Sequence, residues 1–123
     1  MGKFVIRCVS TGCKFDLLAA NGQVIATSEV YETEAACRKG IRSVEKSASV
    51  AKLADLTQEG KQPSNPKFEL FQDRKGDYRF RLKARNGQVV AVSENYTTKA
   101  ACEDGIESVR KNALENTEIK AEE

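Results

Sequence analysis

The chain has 123 residues, 40% of them hydrophobic and 31% charged, with a formal net charge of +2 and no histidine. That length fits one domain or two half-units sharing a core, and so small a net charge excludes a strong general attraction to nucleic acid or to a membrane surface. No apolar run approaches the roughly 20 residues that span a bilayer, and the opening MGKFVIRCVS has no signal-peptide core, so the expected setting is the cytoplasm, with free thiols.

The first predicted strand contains Phe4 to Cys8 and returns through Cys13 to Leu17. Pairing Phe4 with Leu17, Ile6 with Phe15 and Cys8 with Cys13 puts the apolar partners on one face. Asn21-Gly22 is the preferred centre of a two-residue type I′ turn, which sets Ala20 opposite Gln23, Leu18 opposite Ile25 and Phe15 opposite Ser28. Val24 and Ala26 then join the core face. Thr33 is a fitting N-cap for a helix whose Cys37, Ile41, Val44 and Ala48 form the stripe that covers the sheet. Beside that stripe run Ala36, Gly40 and Ser43; a mid-helix glycine costs about 1 kcal/mol relative to alanine, so Gly40 points to close backbone approach by another element. VAKLADL extends this helix to about Leu56, and QEGKQPSNPK, with Gly60, Pro63 and Pro66, reads as a linker over residues 57–66.

The same unit then recurs. At an offset of 65, residues 21–48 and 86–113 agree at 18 of 28 positions, which marks an internal duplication. Phe68 pairs with Leu82, Leu70 with Phe80 and Gln72 with Tyr78. The second Asn-Gly, at Asn86-Gly87, sets Arg85 opposite Gln88, Arg81 opposite Val92 and Arg79 opposite Glu94, with Val89 and Ala91 on the core face. Thr98 caps a helix with the stripe Cys102, Ile106, Val109 and Ala113 and the small residues Ala101, Gly105 and Ser108. The last residues, 115–123, read as a frayed acidic tail. The predicted organisation is a first repeat over 1–56, the linker, a second repeat over 67–114, and the tail. One copy alone should be marginal, so the expected fold class is α+β: tandem β-β-β-α repeats in one six-stranded, antiparallel-rich sheet with both helices on one face, a pseudo-dimer within one domain.

The run YRFRLKARNGQVVAVSENYTTKAACEDGIESVRKNA, with its first-copy counterpart, resembles the YegP-like family over nearly the whole chain outside linker and tail. The resemblance implies two β3-α units in a single sheet with their C-terminal helices exchanged, in tandem or as a dimer of single units, and it brings no catalytic residues. Where the second copy reads YRFRLKARNGQ the first reads CKFDLLAANGQ, so any function of the arginines belongs to the second half.

Without histidine the chain lacks the commonest general base near neutral pH. Glu29 and Glu94 are expected in cross-strand ion pairs with Lys14 and Arg79 rather than in acid catalysis. The four cysteines contain no CxxC, and Cys37 and Cys102 occupy equivalent core positions on different helices, so no metal site is expected. Buried structural thiols are the leading reading of the cysteines, with a labile Cys8–Cys13 disulfide as the alternative. Tyr31 and Tyr96 are expected to close the end of the core with their hydroxyls at the rim. The most informative pattern is Arg79, Arg81, Lys83 and Arg85, spaced by two and flanked by Phe71, Val90 and Val92: a basic stripe over an apolar floor, partly neutralised by Glu69 and Glu94. The leading functional reading is a monomeric, non-catalytic interaction module that meets an unidentified protein partner through this face, with no cofactor and no membrane contact. The alternative is a weak binder of single-stranded nucleic acid or an anionic ligand through the stripe; a redox or other enzyme is third.

Overall fold

The computed structural model describes residues 2–114 and 117–122, and its architecture is mixed α+β. The first copy supplies β1 (Lys3–Val9), β2 (Gly12–Leu18), β3 (Val24–Thr27), α1 (Glu34–Val50) and β4 (Lys52–Asp55). The second supplies β5 (Lys67–Gln72), β6 (Tyr78–Lys83), β7 (Val89–Val92), α2 (Lys99–Asn112) and β8 (Glu118–Glu122). All strands join one sheet in the order β4-β5-β6-β7-β3-β2-β1-β8. Phe4, Phe15, Phe68 and Phe80 are its fully buried centre, covered by the expected stripes of the two helices. Thr33 and Thr98 cap those helices as expected, each hydroxyl accepting the N–H three residues on, from Ala36 and Ala101.

Eight strands replace the six expected, because a strand follows each helix. α1 stops at Val50 instead of running to Leu56: Ala51 is extended, at φ −65° and ψ 134°, and the chain enters β4. β4 lies parallel to β5, with Leu53 beside Phe68, and β8 lies parallel to β1, with Ile119 beside Phe4. Each copy therefore ends by completing the other copy's sheet. The unsatisfied edges of β1 and β5 outweigh the helical continuation of VAKLADL and the charge of the tail. Residues 115, 116 and 123 of the expected frayed tail lie outside the described residues; β8 replaces it over 118–122. The helices themselves straddle both copies, α1 touching β1 and β2 but also β5, β6 and β7, and α2 touching β5 and β6 but also β2 and β3.

The outer hairpins have the expected register, including Cys8 opposite Cys13 and Gln72 opposite Tyr78. The inner ones differ near their turns. Gly22 N–H donates to Ala19 O and Ala19 N–H to Gln23 O, so the turn is Ala20-Asn21 followed by Gly22 at φ 85°; Ala84, Gly87 and Gln88 repeat this in the second copy. This is a three-residue loop with a glycine bulge residue, rather than type I′. The register then shifts again: Leu17 faces Ala26 but Leu18 faces Val24, and Leu82 faces Ala91 but Lys83 faces Val89. The extra residues at these bulges, Ile25 and Val90, join the core, and Val24 and Val89 leave the core face assigned to them.

Gly40 and Gly105 make room for a side chain rather than for the close backbone approach expected of another element. A Cβ at Gly40 would overlap the Tyr31 hydroxyl and lie 2.7 Å from its Cζ, and a Cβ at Gly105 would meet Tyr96 in the same way. Each tyrosine stacks on a core phenylalanine, Tyr31 on Phe15 and Tyr96 on Phe80, and closes the end of the core against its glycine. Burial raises the pKa of both hydroxyls. Cys37 and Cys102 are the buried free thiols expected; Cys8 and Cys13, by contrast, are joined in a disulfide. Their cross-strand register already places the two sulfurs side by side.

Candidate functional site

Strand alternation puts Lys67, Glu69 and Phe71 of β5 and Arg79, Arg81 and Lys83 of β6 on the sheet face away from the helices, since Phe68, Leu70, Phe80 and Leu82 between them are fully buried or nearly so. The register sets Lys67 beside Lys83, Glu69 beside Arg81, and Phe71 beside Arg79. Arg81 is also opposite Val92, which is 36% exposed. Five of the seven expected site residues, Phe71, Arg79, Arg81, Lys83 and Val92, are thus brought together. Val90 is not among them: the β7 bulge turns it into the core, where it is 6% exposed. Arg85 lies past the end of β6, in the turn.

Glu69 organises this face. Its side chain is 6% exposed and accepts from Arg81 Nε at 2.6 Å, with Lys83 Nζ at 3.3 Å and Lys67 Nζ at 3.4 Å. The Arg81 guanidinium in turn lies 4.7 Å above the Phe71 ring. Burial pushes the Glu69 carboxyl upward, but the hydrogen bonds and charges of Arg81 and Lys83 outweigh it and hold the carboxyl below its ordinary pKa. Three cations therefore share one carboxylate, and the cluster keeps a net positive charge. Sequence reasoning placed Glu69 near the stripe but missed Lys67, although the pairing of Phe68 with Leu82 sets Lys67 opposite Lys83. The first copy has Val5 and Asp16 where the second has Glu69 and Arg81, and Asp16 there meets Arg7 at 3.8 Å.

Arg79 stays exposed. The ion pairs expected between Arg79 and Glu94, and between Lys14 and Glu29, do not form among the described residues. Both strands end before these glutamates, because Ser28 and Ser93 interrupt the ladder: their hydroxyls accept the N–H groups of Phe15 and Phe80 and donate to the carbonyls of Glu29 and Glu94. Arg79 instead borders a hollow of about 380 Å³ at the hairpin tip with Asp73, Arg74, Lys75 and Asn95. Asp73 is occupied there by the N–H groups of Lys75 and Asp77. A larger hollow of about 720 Å³ lies on the helix side, between α1 and β8, where Arg42, Lys46 and Glu45 mix charges over Ala113 and Ile119. It is remote from the stripe.

The Glu69 cluster has a pH signature. Because the folded carboxyl titrates below its unfolded value near 4.5, its contribution is complete above that value and disappears as pH falls through the folded one. Glu69→Gln is expected to cost about 2 kcal/mol at neutral pH, and that gap should narrow at an acidic pH below the unfolded value. Urea unfolding of both proteins at the two pH values checks this; a gap independent of pH would assign the loss to packing.

A family model described as a domain of unknown function (DUF1508) matches residues 11–55 and again residues 73–118, one match in each copy. The UPF0339 protein YegP of Yersinia pestis is 36% identical over 121 residues, covering 98% of this chain and 95% of that protein. A UPF0339 protein of Treponema denticola is 62% identical over 47 residues, 38% of this chain but 81% of that protein, so this relative is little longer than one copy. The solution NMR structure of yegP from E. coli, a protein of unknown function, is similar with a TM-score of 0.76 and 31% identity, over 98% of this chain and 91% of that one. No helix among the described residues is long and apolar enough to cross a membrane. The internal duplication, the two helices on a single mixed sheet and these matches place the chain in the YegP-like UPF0339 family, whose biochemical role is unassigned.

Proposed function

We propose that this protein is a non-catalytic, cytoplasmic interaction module that presents the outer sheet face of its second copy to an acidic segment of a partner protein. The observation that carries this reading is the Glu69 cluster: Lys67, Arg81 and Lys83 around one buried carboxylate, with Arg79 exposed beside them and Val92 forming an apolar margin. A carboxylate-rich segment complements that surface in charge, and the ion pairs already hold Arg81 and Lys83 in place, which lowers the ordering cost of binding. Monomeric pseudo-twofold assembly belongs to the same proposal: each copy takes in the other's last strand, as in a dimer of single units, and the relative little longer than one copy fits this view. Single-stranded nucleic acid is the less favoured ligand. Stacking needs a free aromatic face, and Phe71 already carries the Arg81 guanidinium.

Fluorescence anisotropy of a labelled Asp/Glu-rich peptide, compared with labelled single-stranded RNA at low and physiological salt, tests this. The peptide is expected to bind, and Arg79→Glu/Lys83→Glu in a still-folded chain to weaken it at least about tenfold. Tighter binding of the RNA, lost in the same variant, would instead favour the nucleic-acid reading.

A further inference from the structure

The Cys8–Cys13 disulfide lies beside the turn of the first outer hairpin, one pair in from Val9 and Gly12, and the two cysteines differ in exposure: Cys8 is exposed, whereas Cys13 is 6% exposed. Cys13 is also held by its backbone, donating to Tyr31 O at 2.7 Å and accepting from Tyr31 N at 2.6 Å. The second copy supplies an internal control. It builds the corresponding hairpin, with a connection one residue longer, with Gln72 opposite Tyr78, and there Tyr78 makes the same backbone pair with Tyr96. This hairpin therefore forms without a covalent tie. The bond also spans a sequence separation of only five, where a cross-link removes least entropy from the unfolded chain. It is poorly placed as a staple and well placed for attack.

We propose that Cys8–Cys13 is a reversible thiol–disulfide exchange site for a small monothiol of the glutathione class, with Cys8 as the attacked sulfur and Cys13 as the buried leaving group. The thiolate of the small molecule attacks Cys8 Sγ, a mixed disulfide forms there, and the Cys8–Cys13 bond breaks with its electron pair going to Cys13, which takes a proton from water. A second thiolate attacks the small-molecule sulfur of the mixed disulfide and releases the Cys8 thiolate, which is protonated in turn. Two thiols become one low-molecular-weight disulfide as the protein gains two electrons and two protons. Exposed disulfides are the labile ones. Cys37 and Cys102 do not compete, being fully buried on the helices with their thiols pushed up to about 11 by burial.

The test equilibrates the full chain with reduced and oxidised glutathione at graded ratios, alkylates free thiols, and maps the peptides by mass spectrometry while circular dichroism follows the fold. A reversible two-electron transition in a chain that stays folded is expected. Cys13→Ser should take up glutathione on Cys8 at least about tenfold faster than Cys8→Ser takes it up on Cys13. The double variant Cys8→Gln/Cys13→Tyr, which copies the second hairpin, should fold without the bond and keep the single-variant result interpretable. A bond that stays oxidised in excess reduced glutathione, a chain that unfolds on reduction, or equal rates at the two cysteines would each overturn the proposal.

Discussion

A chain ending at Thr117, without β8, is expected to lose about 3 kcal/mol of stability and to melt roughly 12 °C lower. β8 places Ile119 beside Phe4, which is fully buried, and the half-buried Ile119 packs against the core. The loss combines the buried part of Ile119 with the ladder hydrogen bonds that β8 makes to β1. The truncation also bares the edge of β1, so the shortened chain should self-associate more than the full chain. Urea unfolding and sedimentation of the two chains measure both effects. A truncated chain as stable as the full one would mean that the segment is the solvated tail its charge suggests. Ile119→Ala gives a graded version, expected to cost about 1–2 kcal/mol because the side chain is only partly buried.

Gly105→Ala is expected to cost about 2 kcal/mol, or roughly 8 °C in Tm, although alanine is the better helix former by about 1 kcal/mol. The added methyl would overlap the Tyr96 hydroxyl and stand 3.1 Å from Cε2 of Phe80, and the stacked pair has little freedom to withdraw. Gly40→Ala should behave alike against Tyr31. The two readings of these glycines part in a double-mutant cycle. If the tyrosine is the obstacle, Gly105→Ala costs less in a Tyr96→Phe background than in wild type, giving a coupling of about 0.5–1 kcal/mol. Strict additivity would place the contact elsewhere, as close backbone approach by another element would require.

Strand pairing was the most legible part of the fold. Phe4, Ile6, Phe15 and Leu17 alternate cleanly, and so do Phe68, Leu70, Phe80 and Leu82, so one register satisfies every partner. The two strands that exchange between copies were hidden for different reasons. β4 has four residues and follows directly on a helical stripe, and nothing local distinguishes Leu53 from a further helical turn. β8 alternates Ile119 and Ala121 with charged residues, a pattern common to solvated tails and protected edge strands alike. Only the free edges of β5 and β1, a property of the assembled sheet, decide these cases. The Asn-Gly dipeptides misled by one residue. They fit type I′, which carries no bulge, and that bulge-free register puts Val90 on the outer face and Arg85 on the stripe. The Glu69 cluster, by contrast, followed from register and was legible wherever register was right. The disulfide runs against the expectation of free thiols, yet the pairing of Cys8 with Cys13 supplies its geometry.

The most direct measurement is a ¹⁵N correlation NMR titration of the full chain with the Asp/Glu-rich peptide at physiological salt. If the second copy's outer face is the interaction surface, shifts should concentrate on Phe71, Arg79, Arg81, Lys83 and Val92, with little change at Lys14 and Asp16, the first copy's counterparts of Arg79 and Arg81. Shifts confined to the helix side around Arg42 and Lys46, or no shifts at concentrations that saturate a charge-matched control, would contradict that assignment.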